Sequence, residues 1–579
     1  MDQSDSETNP TVVMPNSQPE PEQTIQTLEP TPVLKPQSLV DAATPPNGQI
    51  PPTPPDEPQT PQPTPEKPNK KSKKLWVILV AILAVLLAGA SAYWFLVRDG
   101  KNPSKTAIVK KEIPLLRIAN SQGTPSGVYP SGDGYIPDIE LAEQTFEGLV
   151  HFQEGSKIAP LLATSWSNPD ESTWVFTLKT GVKFHTGRTM SAEDVKHSLE
   201  NFKDNFWYAT SGLAITSVKV IDDNHIEIKT DGPDPSLLNK LVVINIMDSK
   251  SELKSDVRNG TGPYTSEEEI KDPQTLKELK LVAFDDYHGG KPTVRAINFK
   301  YFTTNEEALD AYKKGEVDMV ETDTSKEELN AVLRSGDKII EFSNLVVYYL
   351  GFNFNSDESP ILNQKVREAI YLATDPAALI AARKASGIPA GQITTVEVPG
   401  YNPDITRPER DVAKAKALLK EAGYPDGVTI KLSYYPTSED AANEIARQLK
   451  EAGITLTLDP QGDETYDDVV YGGGAEMFFA GSSASNLDAN AVFTSEFRDT
   501  PNFSDKDINA AIDDAAKTLD QEKRLAILQK ISKDLMDQQR WVPLYTPTSS
   551  LIVKNTYVIN RDVNGTGLGV YFWKVYETE

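Results

Sequence analysis

The sequence predicts a mixed α/β fold, preceded by a disordered proline-rich tail and one transmembrane helix. Three observations carry this. Eighteen of the 42 prolines fall in residues 1–74, which hold no Phe, Trp or Tyr. An apolar run without a charge follows directly. Beyond it, period-two runs alternate with apolar repeats of helical spacing.

Each element follows from its residues. Stretches such as Pro51-Pro-Thr-Pro-Pro55 cannot form helix, since each proline removes a donor and clashes with the preceding turn. Without aromatic anchors, residues 1–74 cannot offset their chain entropy by burial. They read as a partly polyproline-II tail, either a plain spacer or a ligand for an SH3-like groove. The run from Leu75 to Val97 has 23 uncharged residues. As a helix it is about 35 Å long, enough to cross a ~30 Å hydrocarbon core. Trp76, Tyr93 and Trp94 sit near its ends, where interfacial aromatics are favoured. It begins too late and runs too long for a cleaved signal peptide, so it reads as a signal anchor. Five basic residues flank it on each side, the denser group being Lys67 to Lys74, which leans toward a cytoplasmic tail. Residues 98–112 form a polar linker. Strand-like runs follow at 115–119, 174–178, 218–221, 225–229, 296–301, 346–354 and 429–433. Helical spacing appears at 191–202, 305–314, 363–373, 411–422, 441–452, 508–519 and 522–538. Ser191 with Asp194 forms a capping-box start. Gly423 and Gly453 follow helix ends, where a left-handed residue is needed.

Composition excludes several functions. The 579 residues carry a formal charge of −26, against the basic face that nucleic acid requires. There is no cysteine, which removes disulfides, thiolate metal sites, thiol catalysis and lipidation through cysteine. No two of the five histidines stand at i, i+4, so a helical zinc pair is excluded, and no metal or cofactor is expected. Lys179-Thr-Gly181 and Ser251-x-x-Lys254 lie in the wrong order for a penicillin-binding site and lack its third element. There is no Gly-x-Ser-x-Gly elbow, Walker-type phosphate loop or dinucleotide fingerprint, and an enzyme is not expected.

The order of local motifs is specific. Phe146-Glu-Gly-Leu-Val150 precedes Ile158-Ala-Pro-Leu-Leu-Ala-Thr-Ser-Trp166. Next stand Trp174-Val-Phe-Thr-Leu-Lys-Thr-Gly-Val-Lys-Phe-His-Thr-Gly187, Ser191-Ala-Glu-Asp-Val195, Gly260-Thr-Gly-Pro-Tyr264, Lys314-Gly-Glu-Val-Asp318 and Asn363-Gln-Lys-Val-Arg-Glu-Ala-Ile370. Ala413-Lys-Ala-Lys-Ala-Leu-Leu-Lys-Glu-Ala-Gly-Tyr-Pro-Asp-Gly427 and Arg540-Trp-Val-Pro-Leu-Tyr545 complete the series. In this order, over roughly residues 113–579, they resemble the family 5 extracellular solute-binding proteins, the dipeptide-, oligopeptide- and nickel-binding receptors of ABC importers.

The resemblance implies a two-lobed periplasmic-binding-protein-like fold of type II with an extra inserted subdomain. Lobe one would take 113–345 and 546–579, the inserted subdomain about 145–257, and lobe two 346–545. The lobes would cross near residues 350–354 and 544–546 and close around ligand. Such a receptor meets solute outside the cytoplasmic membrane, which would leave the tail in the cytoplasm of a bacterial cell. Its partners would be an oligopeptide or other small solute, ABC permease and ATPase subunits, and the membrane through the span from Leu75 to Val97.

In peptide-binding members the ligand lies extended, held largely by backbone hydrogen bonds. The family segment Gly-Trp-x-x-Asp, whose Asp meets the ligand ammonium, corresponds here to Gly481, Ser482, Ser483, Ala484 and Ser485. Ser482 replaces the Trp and Ser485 the Asp. A buried ammonium needs a carboxylate, so recognition of a free peptide amino terminus is weakened. Ser482, Ser483, Ser485 and Asn486 offer neutral donors and acceptors, which also suit sugar hydroxyls. Tyr434, Tyr435 and Asn353 are the other ligand candidates, against core packing for the tyrosines and a turn for Asn353. The expected function is reversible oligopeptide capture for import. The alternatives are a carbohydrate receptor of the same fold and a solute-sensing receptor without transport.

Overall fold

The computed structural model describes residues 110–578, apart from 122, 125–135, 154–155, 203–212, 253–256, 268–275, 356–357, 463, 485, 499, 501–502, 504 and 560–569. The expected tail, the span from Leu75 to Val97 and most of the linker lie outside the described residues. Among the described residues no helix is long and apolar enough to cross a membrane.

Strand β1 (Leu116–Asn120) opens the fold, followed by a hairpin of β2 (Val150–Gln153) and β3 (Lys157–Pro160). A separate antiparallel sheet follows: β4 (Ala163–Asp170), β5 (Thr173–Leu178), β6 (Ile215–Asp222) and β7 (His225–Thr230), in the order β4-β5-β7-β6. Its inner face and the helix Ala192–Phe202 bury a core around Phe176, Phe184, Val195 and Ile228. The chain then builds β8 (Tyr264–Thr265), β9 (Glu278–Ala283), β10 (Ala296–Tyr301), β11 (Met319–Thr322), β12 (Asp337–Ser343), β13 (Val346–Phe352) and β14 (Gly387–Pro389). Strands β15 (Val428–Tyr434), β16 (Ile454–Pro460), β17 (Met477–Ser483) and β18 (Trp541–Lys554) follow.

These join β1 in one twelve-stranded sheet, with the order β16-β15-β17-β13-β18-β11-β1-β10-β9-β8 and with β12 and β14 off this path, each paired with β18. It has two halves that share β18. Trp541 to Tyr545 pair with β13, and Thr548 to Lys554 pair with β12. β12 and β13 are separated only by Asn344 and Leu345. The chain therefore passes between halves at 344–345 and at 546–547. The segment expected to cross, 350–354, instead lies in and just beyond β13, with β17 on one side and β18 on the other.

The second half is covered on both faces, and β17 accordingly opens with a near-continuous apolar run, Met477-Phe-Phe-Ala480. In the second half, helices Gln364–Ala373, Val412–Glu421 and Glu439–Ala452 cover one face. Helix Glu439–Ala452 buries Ala441, Ala442, Ile445, Leu449 and Ala452, the spacing of one helical stripe. Helices Lys506–Ala515 and Gln521–Asp537 cover the other. There the Arg524 guanidinium meets both Asp488 carboxylate oxygens, at 2.9 and 2.8 Å, and both side chains are buried. Asp488 also caps the short helix Ala489–Phe493 through the Asn490 amide.

The hairpin region reaches across to the second half. Phe152 lies in the core formed with Tyr349, Val398 and Leu487. The Asn239 side-chain amide donates to the carbonyls of Asn486 and Leu487, at 3.1 and 3.0 Å. Ser156 donates to the Glu397 carbonyl.

Candidate functional site

In an open α/β sheet, ligands bind beyond the carboxyl ends of the parallel strands. In the second half, β15 runs parallel to β16 and β17, so these ends are at Tyr434, Pro460 and Ser483. β13 begins there with Val346, and β18 arrives there at Tyr545 before crossing to the other half.

β17 pairs with β13 along its whole length, Met477 to Ser483. Its other edge pairs with β15 only at Met477 and Phe478. Beyond Phe478 no strand lies beside that edge among the described residues. Two bonds fix which groups face it. The Tyr466 hydroxyl donates to the Phe479 carbonyl at 3.0 Å, so Phe479 points away from β13. The Ala484 amide donates to Leu345 at 3.1 Å, so even-numbered positions point toward β13. Backbone groups of an antiparallel strand alternate. The N–H and C=O of Gly481 and Ser483 therefore face the open edge. Both residues are exposed. Gly481 is also tightly fitted: a Cβ there would lie 3.1 Å from the Tyr348 ring and 3.2 Å from Val346.

The remaining candidate residues fall in different places. Ser482 is buried on the opposite face, where its side chain hydrogen-bonds the Glu496 carboxylate. Burial pushes the Glu496 carboxyl above its usual range, and the bonds from Ser482 and from Tyr349, at 2.8 Å, offset this in part. Tyr434 is buried in the core of the first face. Tyr435 is half-buried, with its ring 4.0 Å from that of Tyr466. Asn353 is buried at the far end of β13, where its amide donates to the Gly473 carbonyl at 2.6 Å and its oxygen accepts from the Asn355 amide. Asn486 is half-buried and its carbonyl accepts from Asn239. Ser485 lies outside the described residues. The structure thus gathers Gly481 and Ser483 on one open edge, with Asn486 just beyond the strand end, and sets Ser482, Tyr434 and Asn353 inside.

One feature near these strand ends was not legible in the sequence. The rings of Phe479, Tyr348 and Tyr545 stack in series, with centroids 5.4 and 5.0 Å apart. The Arg383 guanidinium lies 5.3 Å from the Tyr348 ring and donates to the Tyr545 hydroxyl at 3.0 Å. Burial pushes the Tyr545 phenol up to about 12. Arg383 carried no signal because 35 residues separate it from Tyr348 in an unremarked helix terminus. Among the described residues, no three acidic or histidine side chains form a metal-binding group.

With this geometry in view, comparison with known proteins defines the class. Residues 157–504 match the family model described as bacterial extracellular solute-binding proteins, family 5 middle region, and the chain belongs to this family of ABC-importer solute receptors. It is similar to the dipeptide-binding protein of Escherichia coli, with 28% identity over 371 residues, 57% of this chain and 67% of that protein. It is also similar to the periplasmic murein peptide-binding protein MppA of Escherichia coli, with 23% identity over 499 residues, 78% of this chain and 91% of the relative. Among solved structures, the unliganded open form of MppA superposes with a TM-score of 0.71 at 20% identity, over 82% of this chain and 99% of that one. DppA from Helicobacter pylori in complex with the peptide STSA gives 0.63 at 23% identity, over 81% and 99%. These likenesses establish a periplasmic-binding-protein-like fold.

Proposed function

We propose that the protein is a membrane-anchored, extracytoplasmic receptor that captures an oligopeptide reversibly between its two lobes and hands it to an ABC permease. It performs no covalent chemistry. The lobes are the two halves of the large sheet, residues 113–345 with 546–579 and residues 346–545, with 145–257 as the inserted part. The observation that carries the reading is the open edge of β17. It presents backbone donors and acceptors at Gly481 and Ser483, which a peptide can meet as an added strand whatever its side chains. The names of the relatives, dipeptide-binding and murein peptide-binding, agree with this ligand class. The run from Leu75 to Val97 would hold the receptor at the outer face of the cytoplasmic membrane, with the proline-rich tail inside.

A thermal-shift survey of the full chain against tri- to pentapeptides and oligosaccharides tests the ligand class. A peptide at 100 times its dissociation constant adds ~2.7 kcal/mol of stability. Stabilisation by oligosaccharides and by no peptide would overturn the reading. Protease treatment of intact cells tests the topology: cleavage of the C-terminal part with a protected tail is expected, and the reverse contradicts the anchor's orientation.

A further inference from the structure

We infer that Glu496 is the positioning residue of the ligand strand: its carboxylate joins Tyr349 of β13 to Ser482 of β17 behind the open edge and ties peptide affinity to its own charge. This rests on the peptide reading above and adds a regulatory residue to that site.

The free end of β17 explains why such a residue is needed. From Phe479 to Ser483 the strand pairs with β13 on one side, and among the described residues no strand lies on the other. A strand end bonded on one side opens more easily than one bonded on two. Ser482 stands between Gly481 and Ser483 and points to the opposite face, where it is buried and hydrogen-bonds the Glu496 carboxylate. The Tyr349 hydroxyl donates to the same carboxylate at 2.8 Å. Ser482 pairs with Val347 and Tyr349 with Ala480, so the two are diagonal neighbours on one face. Such positions are roughly 7–8 Å apart, a gap that a carboxylate can bridge. The Tyr349 side is firm: the residue is fully buried, and its ring stacks on Trp541 with centroids 3.4 Å apart. Glu496 thus fastens the free end of β17 to the paired middle of the sheet.

Glu496 reaches this place from an unusual turn. Thr494–Arg498 is one turn of π-helix, directly after the helix Ala489–Phe493. Such turns are rare and occur frequently at functional sites. Beside the carboxylate is a cavity of about 10 Å³, whose wall includes Tyr471, Phe478, Phe503 and Arg540. That is room for about one water, so the two hydroxyls supply most of the carboxylate's solvation.

Charge links this anchor to pH. The titratable and charged groups that face Glu496 are Tyr349 on β13, Tyr466 and Tyr471 at the two ends of the helix Tyr466–Val470, and Arg540 across the cavity. Burial raises all three phenols, so none ionises near neutral pH. Asp467, on the same short helix, acts on Tyr466 and Tyr471. Arg540 is taken up by Asp505 at 3.1 Å and lies over the Phe354 and Phe503 rings. On the π-turn itself, Arg498 pairs with Asp513 at 2.6 Å. Of the groups bonded to Tyr349 and Ser482 side chains here, Glu496 is the one that changes charge in mild acid, since burial holds its carboxyl above 4.5. The ionised form accepts from both hydroxyls. The protonated form turns one oxygen into a donor and gives up one of these bonds. Acid therefore loosens Ser482 and weakens the ligand strand. The contribution of Glu496 to folding stability runs the other way. A raised carboxyl contributes fully below 4.5 and declines as pH rises through the folded value.

The experiment uses the full chain and one peptide without charged side chains, the tightest of a tri- to pentapeptide series by calorimetry at pH 7.5. Affinity is then read at pH 7.5 and pH 4.5, and melting temperature monitors folding. Using one peptide with every protein cancels the peptide's own titration. Wild type is expected to bind about fivefold more weakly at pH 4.5, the worth of one net hydrogen bond. Glu496→Gln and Ser482→Ala should bind more weakly than wild type at pH 7.5 and lose that acid effect. Ser482→Thr, which keeps the hydroxyl, should retain it. Should Glu496→Gln fail to fold, Ser482→Ala carries the same comparison. An acid effect of equal size in wild type and in the variants that lack the carboxylate or the hydroxyl overturns the inference and leaves peptide binding intact. Wild-type affinity that is equal at both pH values does the same. Loss of affinity and melting temperature together in Glu496→Gln, with the acid effect unchanged, assigns the residue a structural role and also overturns it. If no peptide binds wild type at either pH, the peptide reading fails and this inference fails with it.

Discussion

The Tyr466 hydroxyl closes on the Phe479 carbonyl at 3.0 Å, and the next outward-facing backbone groups on that strand, at Gly481 and Ser483, have no strand beside them among the described residues. Tyr466 thus caps the inner end of an edge that is otherwise unpaired among the described residues. The even-numbered positions of β17 already pair with β13, which holds the strand in place along its length.

Proline at position 483 is a selective probe of this edge. The Ser483 amide faces outward, so Ser483→Pro removes a ligand donor without breaking a bond to β13. A lost backbone hydrogen bond is worth about 1 kcal/mol, and peptide affinity is expected to fall about fivefold or more by calorimetry. Unchanged affinity would place the ligand elsewhere.

The motifs that identify the family turn out to be largely structural, and this explains why the fold was legible and the candidate site was not. Glu147 of Phe146-Glu-Gly-Leu-Val150 accepts from Thr261, Tyr287 and His288, each at 2.8 Å. His288 in turn lies 2.9 Å from the Lys179 ammonium. One buried network therefore ties together three motifs that are far apart in the chain. Gly262 is required because a Cβ would lie 2.6 Å from the Thr145 backbone, and its amide bonds the Thr145 carbonyl at 3.0 Å. Helices with a strong apolar stripe, such as Glu439–Ala452, were readable within two residues of their ends. The crossings at 344–345 and 546–547 were not fully readable, because β12 to β13 and β18 run through them with unbroken apolar character. Facing was equally hidden. Alternation along β17 sends Ser482 inward and Ser483 outward, and a run of serines carries no mark of which is which.

Acid sensitivity should concentrate at Arg188. Burial alone would raise the pKa of Asp194 and Asp248, yet the Arg188 guanidinium, with Ser249 at the first and Thr186 at the second, holds both below the usual carboxylate value of 3.8. Depressed carboxylates contribute stability above their unfolded pKa and lose it as pH falls through the folded one. Arg188→Met leaves two buried carboxylates unpaired and is expected to cost about 3–5 kcal/mol at pH 7. By urea unfolding the cost should shrink toward pH 3, where the carboxylates begin to protonate. An equal cost at both values would contradict the assignment.

Glu140 behaves in the opposite sense. Burial pushes its carboxyl well above 4.5, and hydrogen bonds from Asn120, at 2.7 Å, and with Glu321 offset this only in part. The folded state favours the protonated form. Stability is therefore full below 4.5 and declines as pH rises through the elevated folded value. Glu140→Gln keeps the acceptor for Asn120 and removes the charge. The loss of unfolding free energy between pH 5 and pH 8 should be smaller in the variant by about 1 kcal/mol or more. An identical pH dependence in both proteins would sink this.

Amide hydrogen exchange at Gly481 and Ser483, measured with and without a bound peptide, addresses strand addition most directly. Binding should slow exchange at those two amides, while Ala480 and Ser482, already facing β13, stay nearly unchanged. A peptide that binds with no added protection at Gly481 or Ser483 would contradict ligand capture on this edge.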